Sequence, residues 1–230
     1  MSDDMGDDRL DRDVMATDDA PMSAAQMLEL SRAQQQRVAD FFETPTLIIV
    51  ATWGVAWFVG FLALWLGRPA SVLPIPGDIA GTAFAVLMIV GVVTSVVVGS
   101  RTGAGVKGRE RFEGAVYGIS WGAACTAVPV LGGALQRAGM TTDVAALFYP
   151  AAYCIVIGTL YLVGAALWQD RSMIVVGAWI LLVGVVAPYF GAPASYLVMS
   201  LAGGGAFLVY AALLLGARSR VKRSRVVRPS

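Results

Sequence analysis

The chain contains no histidine in 230 residues. That absence removes Ser-His and Cys-His catalysis, the HExxH zinc site and haem ligation by histidine. Cysteine is nearly as scarce. Cys125 and Cys154 are the two thiols, far apart and each inside an apolar segment. A lone thiol in such a setting behaves as a small hydrophobe, so neither a disulfide framework nor a CxxC oxidoreductase is implied. The third shortage is charge, at 14% of residues. None of the 16 acidic and 17 basic residues falls inside the long apolar runs. A charge there would cost roughly 2.5 to 3.5 kcal/mol at mid-bilayer. A proton or sodium relay therefore has no buried carboxylate to run on, which disfavours ion-coupled secondary transport. The first 43 residues also lack an apolar core between a basic start and a small-residue cleavage site. The first spanning helix is expected to direct insertion itself.

What is abundant is apolar surface, with 57% hydrophobic residues and a mean hydropathy of +0.68. These values predict an all-α fold, a polytopic transmembrane helical bundle of six spans preceded by a short amphipathic helix. Residues 1–22 read as a disordered acidic tail, because eight aspartates stand among the first 20 residues with almost nothing large and apolar to bury. Residues 23–43 read as an amphipathic helix, opened by a Ser23/Gln26 capping box and striped by Met27, Leu30, Val38, Phe41 and Phe42. It serves either as an interfacial or partner-docking helix or as a lead-in to the membrane. Thr44 and Pro45 then suit an N-cap and a first helical position.

The transmembrane domain, 44–217, divides into spans at about 44–67, 79–100, 114–136, 144–169, 172–188 and 193–217. A helix needs about 20 apolar residues to cross about 30 Å of hydrocarbon. The uncharged run 172–217 is long enough for two crossings, and it is cut where Pro188, Gly191 and Pro193 cluster. Charge tests the cut. With six spans, all of the 17 Lys and Arg except Arg68 and Arg137 fall on one side, including the basic tail 218–230. This arrangement predicts a multi-pass protein of the plasma (inner) membrane with both termini cytoplasmic.

Four groups of residues are candidates for a function. Gly91, Ser95 and Gly99 line one face of span two, and Gly114, Gly118 and Gly122 line one face of span three. Small residues at this spacing let helix backbones approach, either between these two spans or between copies of the chain in a homo-oligomer. Pro129 and Pro150 fall at similar depth and form a candidate kink or gate, although prolines are also ordinary in membrane helices. Trp53, Trp57, Tyr153 and Tyr161 are candidates to line a pocket, or else serve as packing aromatics. Arg101, Lys107, Arg109 and Arg111 form a basic loop facing the cytoplasm, suited to anionic lipid, a partner protein or simple topology determination. Gly103, Gly105 and Gly108 in that loop spell GxGxxG. They follow a spanning helix rather than a strand, so dinucleotide binding lacks its context.

Six spans, cytoplasmic termini, a helix before the membrane and a charged loop between spans two and three resemble the layout of the permease half of ABC-2-type exporters. The resemblance covers topology from about Ser23 to Gly216 and includes no diagnostic residue. It implies a separate cytoplasmic ATPase that engages the pre-membrane helix and the first loop. The expectation is a non-enzymatic, permease-like or accessory component of a transport or efflux system. The alternative is a membrane sensor, scaffold or regulator that recruits a cytoplasmic regulatory protein through its charged tails. No catalytic residue, metal, cofactor or nucleic-acid partner is expected, and the lipid bilayer is an expected partner.

Overall fold

The computed structural model describes residues 23–68, 73, 75–102 and 109–226. The acidic tail, Lys107 and the three glycines of the GxGxxG stretch lie outside them. Two compact units divide between Thr44 and Pro45. In the first, Ser23 and Gln26 close the expected capping box: the Ser23 amide donates to Gln26 Oε1 at 2.9 Å and the Gln26 amide to Ser23 Oγ at 3.3 Å. Met27 and Leu30 are 54% and 49% exposed, while the side chains of Val38, Phe41 and Phe42 lie outside the described set.

The expected fresh start at Thr44 is not found, because the helix is continuous over Ala24–Leu66 with Pro45 inside it. Proline removes one donor and leaves the remaining ladder in place, and the helix-favouring residues before it carry the helix on.

Among the described residues, six helices are long and apolar enough to cross a membrane: Thr44–Leu66, Gly77–Arg101, Arg111–Arg137, Thr142–Trp168, Arg171–Phe190 and Ala194–Gly216. They are called spans one to six. Of the basic stretch between spans two and three, the described residues are helical. Arg101 sits in the last turn of the helix Gly77–Thr102, and Arg109 and Arg111 open the helix Arg109–Arg137. The turn between spans five and six falls where the prolines and glycine cluster. A 3-10 turn over Ala187–Phe190 ends at Gly191, whose φ of 71° favours a residue without a Cβ.

Burial is uneven across the six. The apolar window is 28% buried in spans one, four, five and six, against 6% in span two and 11% in span three. The core cluster draws all its members from the better-buried four spans and the five-six turn: Trp57 and Phe61, Ala146 and Cys154, Ile180 and Val183, Ala187, Tyr196 and Met199.

Hydrocarbon offers helices no hydrophobic reward for meeting, so close packing and interhelical hydrogen bonds must hold them together. Glycine provides the approach. A Cβ at Gly204 would strike the Phe58 backbone of span one, and one at Gly177 would lie 2.9 Å from the Gly158 carbonyl of span four. Hydrogen bonds to carbonyls add to it: Ser200 Oγ donates to Phe58 O at 2.7 Å, and Trp179 Nε1 to Ala202 O at 2.9 Å. Ala202 belongs to a π-helical stretch, Met199–Gly204. There the widened turn displaces the regular carbonyl partners.

Span two attaches to span one, and span three to span four. Trp53 Nε1 donates to Ser95 Oγ at 2.9 Å, and Phe84 packs on Phe61 at 5.1 Å between ring centroids. On the other side, Tyr117 donates to Leu160 O at 3.0 Å and meets Trp168 edge to face at 4.7 Å.

Candidate functional site

The ends of spans one, two, four and six that carry no basic tail converge on Arg68. Local structure puts it there. Span one ends at Leu66, and the amide of Ile75 returns to Leu66 O at 3.2 Å, which brings the start of span two beside it. Gly67 allows the approach, since a Cβ there would lie 2.6 Å from the Ala80 Cβ.

Span three ends in a Schellman turn: Met140 N donates to Leu135 O at 3.0 Å and Gly139 N to Gln136 O at 3.1 Å, with Gly139 at φ 103°. Thr141 then caps span four by accepting from Val144 N at 3.3 Å. This tight corner presents Asp143 to Arg68, 3.4 Å from Nη1 to Oδ1. The guanidinium lies over the Tyr196 ring of span six, 5.7 Å from its centroid. That is within cation-π range.

Between these groups is a recess of about 370 Å³, lined by Leu64, Gly67, Arg68, Gly77, Ala80 and Tyr196. Apart from Arg68 and Tyr196, the residues that line it carry apolar side chains or none. Small-molecule sites run from about 300 to 1,000 Å³. The sequence marked Arg68 as one of two basic residues on the far side from the rest, but gave no sign of Tyr196 or Asp143. Their meeting depends on where spans four and six start, which hydropathy does not resolve.

None of the sequence candidates lines this recess. Trp53, Trp57, Tyr153 and Tyr161 each make packing or hydrogen-bond contacts. Trp53 covers Gly91 and donates to Ser95, Trp57 is buried against Phe61 and Phe207, Tyr153 reaches span three, and Tyr161 meets Trp121 at 5.9 Å. Each is engaged with a different neighbour.

The glycine hairpin between spans two and three is also corrected. Gly91 lies under Trp53 of span one, whose ring a Cβ there would meet at 3.2 Å, and Ser95 serves the same ring. A Cβ at Gly99, Gly114, Gly118 or Gly122 would meet nothing within 4 Å. The reason is lateral placement: each of the two spans is fixed to a different core helix.

Neither Pro129 nor Pro150 lines the recess. Pro129 is exposed and Pro150 half-buried. Pro129 has no N–H for the carbonyl four residues back, that of Cys125. Tyr153 supplies the missing donor from span four at 3.3 Å. Arg101 and Arg111 are exposed, and the side chain of Arg109 lies outside the described set.

Fold and site together define an all-helical, multi-pass membrane protein with a small, cation-rimmed recess at one end. No family model, curated protein or solved structure matches the chain.

Proposed function

We propose that the chain is a non-enzymatic, permease-like or accessory component of a transport or efflux system in the plasma (inner) membrane, its termini cytoplasmic. A cytoplasmic ATPase supplies the energy. The observation that carries this reading is the recess where spans one, two and six meet, apolar in its walls and cationic at its rim. A site of that build at the end of a helical bundle suits capture or release of a small solute, and no covalent chemistry is needed for it.

The test is a deletion strain complemented by the intact chain, with uptake and export measured across solute classes and the purified complex assayed for ATPase activity. A solute flux that returns with the intact chain supports the reading. Unchanged fluxes together with a complex free of any ATPase overturn it. A reporter fused after Arg220 tests the topology separately, and an external signal would remove span six as drawn.

A second reading, a sensor or scaffold, is favoured by the last helix, which runs to Val226, well past the apolar span that ends at Gly216. Removing residues 218–230 separates the two. A scaffold loses its partner, whereas a permease keeps its solute flux.

A further inference from the structure

We infer that the Arg68 recess binds the anionic head of an amphiphile, with the guanidinium as the anion ligand and Leu64 beneath the first carbons of its tail. This is independent of whether the chain transports anything.

A guanidinium carries five N–H donors. Among the described residues the one acceptor on Arg68 is Asp143 Oδ1, at 3.4 Å, at the long limit for a hydrogen bond. The Asp143 side chain is 75% exposed and that of Arg68 32%. Exposed pairs of this kind contribute little and open readily. The guanidinium also lies over the Tyr196 ring, 5.7 Å from its centroid, a contact that does not involve Asp143. Arg68 is therefore oriented with donors to spare.

The rest of the wall decides what the anion is attached to. Leu64, Gly67, Gly77 and Ala80 offer no hydrogen-bonding side chain, and Leu64 is half-buried. A free oxyanion would leave that surface unmatched, and an apolar solute would leave the arginine unmatched. An anion with an alkyl tail satisfies both. The depth agrees, because Arg68 follows the last turn of span one and Gly77 opens span two, where the hydrocarbon of a bilayer gives way to headgroups. Asp143, and the exposed Asp78 beside Gly77, oppose an anion and limit its affinity.

The test uses the full chain purified in mixed micelles of neutral detergent. Dioleoylphosphatidylglycerol is titrated against dioleoylphosphatidylcholine and, separately, inorganic phosphate at matched ionic strength. Thermal unfolding and lipid retained in native mass spectrometry are read together. Phosphatidylglycerol should raise the Tm and be retained, with phosphatidylcholine and phosphate neutral. Arg68→Ala should abolish the effect, and Arg68→Lys should weaken it several-fold because the planar fork is lost. Arg137→Ala, at the same end, should leave it intact.

Asp143→Asn keeps the falsification open should Arg68→Ala fail to fold. Removing the competing carboxylate should raise the phosphatidylglycerol affinity about threefold to tenfold, following the opposing-charge argument. Equal lipid retention in wild type and Arg68→Ala, or unchanged or weakened binding in Asp143→Asn, overturns the proposal. An Arg68-dependent phosphate effect as large as that of the lipid identifies a free anion as the ligand and overturns the amphiphile.

Discussion

Spans one, four, five and six differ from spans two and three less in apolarity than in how much of each is covered. Mean hydropathy of the best window is 2.4 in span two, the highest of the six, yet 6% of that window is buried; span four, at 1.9, is 28% buried. Within a bilayer, apolarity earns a helix its place in the membrane but not a neighbour. Neighbours come from surfaces that fit. Spans four and five fit because Gly158 and Gly177 allow backbone against backbone. Spans two and three are held mainly by aromatic side chains reaching across, and their outer faces stay open.

The comparison breaks most easily at Gly204. Gly204→Ala should cost about 3 kcal/mol, the upper part of the range for overpacking, because the obstruction is the Phe58 backbone rather than a rotatable side chain. Unfolding titrations in mixed micelles measure it. A loss below about 1 kcal/mol would mean that spans one and six are not packed as closely as the core requires.

Next in size is a double-mutant cycle across spans three and four. Tyr153→Phe should cost about 0.6 to 1.7 kcal/mol, the range for interhelical hydrogen bonds in membranes. In a Pro129→Ala background the cost should shrink toward zero, because Cys125 O regains its helical donor. Equal costs in both backgrounds would detach the tyrosine from the proline.

Ser95→Ala removes the acceptor of Trp53 and should cost about 0.6 kcal/mol in the same assay. Thermal melts should show the aromatic packing around Phe84 retained.

The smallest effect is expected at Gly118. Gly118→Ala meets open space and should change stability by less than about 0.5 kcal/mol, as surface substitutions do. A larger loss that grows with protein concentration would show this face covered by a second copy of the chain, and span three would then belong to an interface rather than to the periphery.

Much of the fold was legible residue by residue. Charges at Arg68, Asp78, Arg137, Asp143, Asp170 and Arg171 bracket the apolar runs, and Pro188 to Pro193 marks the turn between the last two spans. The Ser23/Gln26 box predicted a helix start that the structure contains. The candidate sites were much less legible. GxxxG-like spacing points to Gly114, Gly118 and Gly122, where a Cβ would meet nothing within 4 Å, while the close approaches fall at Gly158, Gly177, Gly184 and Gly204. Gly177 and Gly184, seven apart on one face, carried a periodic signal that a search for four-residue spacing passes over.

By itself the sequence determined that this chain is helical, apolar in six stretches and unsuited to histidine or buried-carboxylate chemistry. Those properties belong to single residues and short runs, and each acts on its own surroundings. Tertiary structure alone decided which helices form the core, which tyrosine relieves which proline, and that Arg68, Asp143 and Tyr196 converge. Such choices depend on the lateral fit of surfaces far apart in the chain. In hydrocarbon, where every apolar face is equally well solvated, hydrophobicity cannot make them.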